Sequence, residues 1–301
     1  MPALDSEQHG TGTTPAVAHF YNTLRSGALS AAALAHGDAN IGQECVLTPE
    51  EILTFARRAG ITAGTSVLDI GSGTGGPACY LAQQLGCRIL GVDISEVGHT
   101  QALARVRAAA LGHLVQFQCG DIATLTLPEA AFDVILGLDA WCHIPQRARL
   151  LQRCTTLLRP LGRIAFYDHV MCQPIPTEEY QRFCRLWRFP GIETPQGYRA
   201  VLQATGFRIL AHDVTSVYTV RFYTRLLTLY TERRTEFEAM RGPARYQEGL
   251  ERLQMSQRLA SSGLLGQLAC IAEQPGEQDR RLQHPVQGLQ ETDQPQQGDV
   301  Q

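Results

Sequence analysis

The chain has 301 residues, 44% of them hydrophobic, which is enough to build a sizeable core and excludes a wholly disordered protein. Its formal net charge of -3 offers no basic face for nucleic acid, so we expect no such partner. All 26 basic residues are arginine, which excludes any mechanism that needs a lysine Schiff base.

The nine cysteines are scattered along the chain without a Cys-x-x-Cys pair. Disulfide scaffolds are short and cysteine-dense, and zinc sites need clustered ligands, so we predict neither a disulfide framework nor a bound metal. No charge-free apolar stretch approaches the roughly 20 residues of a membrane span, and the first residues lack the apolar region of a signal peptide. We therefore expect a cytoplasmic protein without a membrane span.

Helices and strands alternate along most of the chain. Residues 1–15 are polar and small, which predicts disorder, whereas apolar residues recur at helical spacing from Ala16 to about Leu34. Thr48, with Pro49 and Glu51 after it, forms a capping box that starts a helix. Short apolar runs predict strands at 66–70, 88–92, 115–119, 132–138, 163–167, 207–214 and 264–272.

This order predicts an α/β protein with a doubly wound, mostly parallel sheet of seven strands and helices on both faces. An N-terminal helical segment would cap the sheet, and the mostly helical residues 218–259 would form an insertion before the last strand. Residues 274–301 contain nine Gln and almost no large apolar residue, which predicts a disordered tail. We therefore predict a single domain over residues 16–273.

A glycine-rich loop, VLDIGSGTGG at residues 67–76, leads from the first predicted strand into a helix. Glycines at 71, 73 and 75 allow a tight turn and the close approach of a ligand, and the helix that follows presents free N–H groups. Glycines 71, 73 and 76 also fit the G-x-G-x-x-G pattern of dinucleotide-binding folds, with acidic Asp93 further along the chain. The loop therefore predicts a nucleotide-containing ligand.

Acidic residues around this loop favour S-adenosylmethionine over a dinucleotide. Asp69 precedes the first glycine by two positions, where its carboxylate would attract a cationic amino-acid end and repel a pyrophosphate. Asp121 follows the third strand and is spaced to meet an adenine amino group, while Asp93 would take the ribose hydroxyls. A nicotinamide or flavin dinucleotide is the alternative.

The order of motifs VLDIGSGTGG, GVDIS, CGDI, FDVILGLDAWCHIP and LRPLGRIAFYDHV resembles that of class I S-adenosylmethionine-dependent methyltransferases, over roughly residues 16–273. The segments HGDANIG, LDAWCHIP and those near the C-terminus resemble small-molecule N-methyltransferases that act on sarcosine and dimethylglycine. The resemblance implies an enzyme that methylates a small molecule, most directly at an amine nitrogen. Oxygen or carbon of a natural product is the alternative acceptor, and an NAD-dependent oxidoreductase is the alternative from another class.

The resemblance also implies the residues of the cofactor site. The methionine part of S-adenosylmethionine would be held by Asp69, Gly71, Ser72, Gly73 and Gly75. The remaining contacts would be made by Asp93 to the ribose, Ile94, Asp121 and Ile122 to the adenine, and Leu138 to the methyl-donor pocket.

The segment after the fourth strand supplies candidate catalytic residues. It lies at the carboxyl edge of the predicted sheet, where open α/β folds bind ligands. Trp141 could hold a cationic amine by cation–π attraction, or could belong to the core. His143 could take a proton from the acceptor, or could be a structural histidine, and Asp139 adds a polar group beside them.

The insertion before the last strand carries tyrosines and arginines. They could form a lid over the acceptor, with Arg221 or Arg225 binding a carboxylate. The alternative is an amphipathic helix that packs on the domain.

Overall fold

The computed structural model describes residues 14–25 and 35–276, in which one seven-stranded sheet organises the chain. The strands are β1 (Ser66–Ile70), β2 (Arg88–Asp93), β3 (Val115–Cys119), β4 (Phe132–Leu138), β5 (Leu158–Met171), β6 (Arg208–Thr215) and β7 (Leu265–Glu273). Their order across the sheet is β3-β2-β1-β4-β5-β7-β6. All pairs are parallel except that β7 runs antiparallel to β5 and β6. The predicted doubly wound, mostly parallel sheet is confirmed.

Helices connect these strands and cover both faces of the sheet. They are α1 (Thr14–Arg25), α2 (Pro49–Arg58), α3 (Gly76–Leu85), α4 (Glu96–Ala108), α5 (Arg147–Leu157), α6 (Thr177–Trp187), α7 (Pro195–Ala204), α8 (Val217–Glu232), α9 (Arg234–Arg241) and α10 (Pro243–Ser261). The predicted capping box is present at the start of α2, where Thr48 and Glu51 each bond the other's backbone N–H.

The core lies on both faces because side chains alternate along the central strands. Val67 of β1 packs in the apolar cluster that also contains residues of α2 and α3. Its neighbour Leu68 packs in the opposite cluster, with residues of α5 and α7. Both faces of β1 are therefore buried, as is usual for a strand in a parallel sheet.

Several boundaries differ from the sequence-based predictions. Helix α6 was not predicted, although Tyr180, Phe183, Cys184 and Trp187 recur at helical spacing along one face. Strand β5 begins at Leu158 rather than 163, through a register shift at its pairing with β4. The single helical stretch predicted at 218–259 is divided into α8, α9 and α10. The break before α10 is a Gly-Pro pair, which ends one helix and starts the next.

The predicted limits of disorder near the two chain ends also differ from the structure. Helix α1 begins at Thr14, so the last two residues of the predicted disordered segment 1–15 are helical. Gln274, the first residue of the predicted tail 274–301, is buried and its side chain donates to the carbonyl of Leu158. Residues 1–13, 26–34 and 277–301 lie outside the described residues, together with the rest of the predicted disorder and the end of the first predicted helix.

The strand order reverses between β1 and β4, the two central strands. At such a switch point the connections leave the sheet in opposite directions, and a crevice opens beyond the carboxyl ends of the strands. The glycine loop after β1 and the segment after β4 both meet there. The topology therefore places the two motifs that the sequence analysis singled out at one edge of the sheet.

Candidate active site

A cavity of about 460 Å³ lies at this edge and is the main cavity of the site. Helix α1 contributes Val17, Tyr21 and Arg25 to its wall, three residues spaced four apart on one helical face. The glycine loop, the carboxyl ends of β2 and β4, and the segment 41–47 supply most of the remaining wall. A cavity of this size is in the range that holds a small-molecule ligand.

The glycine loop turns tightly around the end of β1. Gly71, Gly73 and Gly75 all have positive φ angles, of 82°, 57° and 76°. A side chain at Gly71 would lie 2.3 Å from the Cβ of Ala140, so only glycine lets these two segments approach. Gly75 faces away from the cavity, toward Phe117, and does not line it. Gly75 has a place in the turn, and its contact with a ligand stays a prediction.

Asp69 is a buried carboxyl group with 2% of its surface exposed, and it lines the main cavity. Its side chain forms no hydrogen bond or ion pair with any of the described residues. Burial, with the nearby charge of Asp93, raises the pKa of Asp69 to about 7. An ionised carboxylate without a partner is costly in such a place, so the site fits a ligand that brings a positive charge.

Asp93, at the end of β2, organises the loop from the other side. Its Oδ2 accepts a hydrogen bond from the N–H of Gly73 at 2.8 Å, and its Oδ1 accepts one from the N–H of Ser95 at 2.8 Å. The Arg25 guanidinium of α1 also donates to Oδ1, at 3.1 Å. Asp93 therefore ties the loop, strand β2 and helix α1 together at the cavity wall.

Arg25 is a site residue that the sequence analysis missed. It is 6% exposed, and besides Asp93 it pairs with both carboxylate oxygens of Glu44. Both acids raise the pKa of Arg25, so its charge is permanent. The signal for Arg25 was weak, because it shares a helical face with Val17 and Tyr21 but is separated from Glu44 and Asp93 along the chain.

The other predicted cofactor residues line the main cavity, where they bring backbone and apolar surface to its far wall. They are Ser72 in the loop, Ile94 after β2, Asp121 and Ile122 after β3, and Leu138 at the end of β4. Asp121 also accepts a hydrogen bond from the N–H of Ala123, which holds the turn after β3.

A second cavity, of about 100 Å³, adjoins the first. The two share Tyr21, Glu44, Asp139 and His143. The rest of the second cavity is largely aromatic and apolar and is lined by Trp187, Phe189, Phe222, Tyr223 and Tyr230, with His169, Arg241 and Arg252 among its polar residues. The four shared residues form the junction between the main cavity, which the glycine loop borders, and an aromatic one.

Tyr21 and His143 form a hydrogen-bonded pair at this junction. The Tyr21 hydroxyl lies 2.6 Å from Nε2 of His143, and the two rings meet edge to face. Burial, together with the charges of His169, Arg147 and Arg25, lowers the pKa of His143 to about 3, so the imidazole is neutral. Burial raises the pKa of Tyr21 well above its ordinary value, so the hydroxyl keeps its proton and donates it to Nε2.

Asp139 follows β4 in a left-handed conformation, with φ at 54°. Such a conformation is rare for a residue other than glycine and is maintained only where the surroundings enforce it. Here its Oδ2 accepts the N–H of Val46 at 2.8 Å, while its Oδ1 is buried with no hydrogen-bond partner in the described part of the chain. Asp139 thus presents one free acceptor atom at the junction.

Trp141 does not occupy the place expected of it. It is 1% exposed, stacks on Phe166 in the core and lines neither cavity. Gly137 of β4 leaves the space for this, since a Cβ there would lie 2.1 Å from Nε1 of Trp141. The indole folds back onto its own strand, so the predicted cation–π contact with an acceptor is wrong.

The predicted arginine lid is also corrected. Arg221 forms a bidentate hydrogen bond with Glu51 on the surface. Neither Arg221 nor Arg225 lines the main cavity or the second cavity. Helix α8 does face the second cavity, but with Phe222, Tyr223, Leu226 and Tyr230. The arginines at this cavity are Arg241 and Arg252, from α9 and α10.

The segment 41–47 packs directly against the glycine loop. Gly42 accepts a hydrogen bond from the Thr74 hydroxyl at 2.8 Å, and a Cβ on Gly76 would lie 2.2 Å from the carbonyl oxygen of Ile41. The same segment carries Glu44 to the junction and Val46 to Asp139. It therefore connects the loop side of the site with the junction.

Replacing Gly76 by alanine should lower the free energy of unfolding by about 1–3 kcal/mol, because the added methyl meets backbone that cannot move aside easily. Urea unfolding of the variant measures this. Gly112→Ala is the matched control, since nothing lies within 4 Å of a Cβ at that exposed position. Equal effects of the two substitutions would show that the packing around Gly76 is loose.

Two absences bear on the class of site. No group of three or more His, Cys, Asp or Glu side chains among residues 14–25 and 35–276 is arranged to hold a metal ion. Within the same residues, no helix has the length and apolarity that a membrane crossing requires.

Comparison with known proteins agrees with this geometry. Residues 68–166 match the protein family described as a methyltransferase domain. The glycine/sarcosine/dimethylglycine N-methyltransferase of Actinopolyspora halophila is 28% identical over 202 residues, which cover 66% of this chain and 36% of that protein. The first curated relatives are thus matched over about a third to just over half of their length.

Solved structures share the fold. One solved structure is of a Galdieria sulphuraria protein described as a sarcosine dimethylglycine methyltransferase. It aligns with a TM-score of 0.70 at 19% identity, over 75% of this chain and 84% of that one. The cyclase SpnF aligns with a TM-score of 0.72 at 20% identity, over 88% and 97%. One fold therefore serves different reactions, and the reaction must be argued from the site.

The chain has the Rossmann-like fold that is also seen in class I methyltransferases, and residues 68–166 match a methyltransferase domain. Among the known proteins it resembles are the sarcosine and dimethylglycine N-methyltransferases.

Proposed function

We propose that this protein is an S-adenosylmethionine-dependent methyltransferase that methylates a small molecule, and that the preferred acceptor atom is an amine nitrogen. The observation that carries the proposal is the pair of adjoining cavities that share Tyr21, Glu44, Asp139 and His143. One cavity has the glycine loop and the acids expected for the donor, and the other offers aromatic and polar groups to an acceptor.

The residues of the main cavity fit S-adenosylmethionine. Asp69 would hold the ammonium of its methionine part, because it is buried and lines the cavity without a hydrogen-bond partner among the described residues. The backbone of Gly71 and Gly73 leaves room beside it, and Asp93 would bind the ribose hydroxyls. The same acids oppose the pyrophosphate of a dinucleotide, so the oxidoreductase alternative is disfavoured.

When bound, S-adenosylmethionine supplies an already activated methyl group, so the protein mainly has to align the acceptor, exclude water and keep the acceptor nitrogen unprotonated. The Tyr21 hydroxyl donates to neutral His143, which leaves the lone pairs of its oxygen available at the junction. An acceptor N–H could donate to that oxygen, which would orient the nitrogen toward the methyl group. The free Oδ1 of Asp139 would orient the amine.

Methylation at oxygen is the second candidate, since the Tyr21 hydroxyl oxygen could equally accept a hydrogen bond from a phenol. One relative at 30% identity is the O-methyltransferase resE of Aspergillus sclerotiorum, matched over 58% of its length. The amine is preferred because the junction also contains the acidic groups Glu44 and Asp139, which suit a cationic nitrogen.

The test is turnover. The full chain is incubated with S-adenosylmethionine and a panel of amines, phenols and carbon acids, and S-adenosylhomocysteine is measured. Turnover restricted to phenols or carbon acids would replace the amine with the second candidate. If NADH binds in calorimetry and S-adenosylmethionine does not, the proposed cofactor is wrong.

Donor binding should tighten as the pH rises from about 5.5 to 7.5. With its pKa raised to about 7, Asp69 is largely protonated at the lower end of this range, and only its ionised form can pair with an ammonium group. Calorimetry at several pH values, in two buffers of different ionisation enthalpy, would detect the released proton. Asp69→Asn should bind more weakly and show no such pH dependence, whereas a flat profile for the unchanged protein would contradict the role of Asp69.

A further inference from the structure

We propose that Arg252 is the anion-binding residue of the second cavity, and that the methyl acceptor therefore carries a carboxylate or phosphate group. This inference rests on the proposed function, because it treats the second cavity as the acceptor site. It names the chemical class of the acceptor and a residue that selects it.

Arg252 contacts aromatic rings but forms no ion pair with any of the described residues. Its guanidinium lies 5.0 Å from the ring centre of Trp187 and 5.4 Å from that of Phe20, within cation–π range of both. Its Nε is buried and has no hydrogen-bond partner in the described part of the chain, and none of the ion pairs found there includes Arg252. The side chain lines the second cavity and contributes nothing to the first.

The acids near Arg252 are engaged elsewhere. Glu248, one helical turn earlier, lies 3.8 Å from Arg188, and Glu251 pairs with Arg182. Burial, together with the charge of Arg241, lowers the pKa of Arg252, and the Tyr230 and Glu248 side chains offset this only in part. Other buried arginines differ: Arg25 has two carboxylate partners, as described above.

The acidic and the basic side chains of the second cavity therefore lie in different parts of its wall. Its acids, Glu44 and Asp139, are on the side that it shares with the main cavity, whereas Arg241 and Arg252 belong to the second cavity alone. An acceptor with an amine and an anionic group matches this division. A guanidinium binds carboxylate and phosphate with the same paired N–H groups, so both anions satisfy the site.

The experiment compares matched acceptors in the full-length protein. The pairs are sarcosine with sarcosinamide, and phosphoethanolamine with ethanolamine, so each pair differs in the anionic group. We expect the protein to favour the anionic member of one pair by at least about 10-fold in kcat/KM, and the preferred pair identifies carboxylate or phosphate. Arg252→Gln should remove this preference through KM, by lowering kcat/KM for the anionic member toward the value for the uncharged member.

Arg258→Gln is the control, because Arg258 lies on the same helix but is exposed and pairs with Glu179. It should retain the preference. Thermal unfolding separates binding from a structural role: an unpaired, desolvated cation does not stabilise the fold, so Arg252→Gln should keep or raise the Tm. A lowered Tm with the preference unchanged would overturn the proposal, as would a wild-type preference for the uncharged members.

Direct binding keeps the test independent of turnover. Sarcosine and phosphoethanolamine are titrated into the protein with and without S-adenosylmethionine and followed by calorimetry. Saturable binding that Arg252→Gln abolishes and Arg258→Gln preserves supports the proposal, and no saturable binding of either anion refutes it. Loss of S-adenosylmethionine binding with anion binding intact would instead refute the proposed function.

Discussion

Replacement of Tyr21 by phenylalanine, or of His143 by alanine, is expected to lower kcat by about 10²-fold, the scale of a misplaced reacting group. The two groups are hydrogen-bonded at the junction of the cavities, so removing either loses the same orienting contact to the acceptor. Steady-state rates with the best amine from the panel measure the effect. The double variant should be little slower than the slower single variant, because the two act as one unit.

Tyr218→Phe and His113→Ala are the controls, since neither residue lines the main cavity or the second cavity. The binding affinity for S-adenosylmethionine and the Tm should be measured for all variants, because His143 also packs against Phe189. Full activity of His143→Ala across pH would remove the residue from the mechanism.

The pH dependence of the pair follows from the pKa of His143, which is lowered to about 3. The imidazole is already neutral at pH 5, so its titration should not appear in the rate between pH 5 and 8. The pKa in the folded state lies below the unfolded value near 6.5, so the unfolded state binds the proton more tightly. The associated stability is complete above about pH 6.5 and is lost as the pH falls toward 3.

Substitution of Asp93 by alanine is expected to weaken S-adenosylmethionine binding by roughly 1.5–3 kcal/mol, which is about 10- to 150-fold in Kd. The carboxylate would bind the ribose hydroxyls, and it also holds the loop through the N–H of Gly73. Calorimetry measures the affinity directly. An unchanged Kd would exclude Asp93 from the donor site.

Two further variants separate these roles. Asp93→Asn keeps an oxygen that can accept from Gly73, so a loss of affinity common to both substitutions comes from the missing charge. Asp213→Ala removes a carboxylate that pairs with Arg58 on the surface, and it should leave the affinity unchanged.

The sheet and the glycine loop were predictable because their signals are local. Alternation of apolar runs marks strands, and the glycines after residue 70 mark a turn that the structure does contain, with three positive φ angles. Asp69 precedes that turn by two residues, and Asp93 ends the next strand of a parallel sheet, so their place at the same edge of the sheet also followed from the sequence.

The junction was not predictable in the same way, because its residues come from distant parts of the chain. Tyr21 and His143 are separated by 122 positions, and Arg25 and Asp93 by 68. Only the tertiary fold brings α1 over the edge of the sheet. Nothing in the local pattern of α1 distinguishes a helix that covers a site from one that packs elsewhere.

Trp141 shows a different limit. The sequence placed Trp141 after β4, at the carboxyl edge of the sheet. It did not indicate the direction of the side chain. That direction depends on Gly137, whose missing Cβ leaves space for the indole against the strand. A glycine within a strand often marks the close approach of another group, and here it was the available signal.

The packing of the segment 41–47 has a thermodynamic consequence. One end of the segment is pressed against Gly76 and Thr74, and the other carries Glu44 and holds Asp139 through Val46. A ligand that orders the loop would therefore also order groups that face the acceptor. Occupancy of the two cavities should be cooperative, and the factor by which the donor tightens the acceptor must equal the factor by which the acceptor tightens the donor.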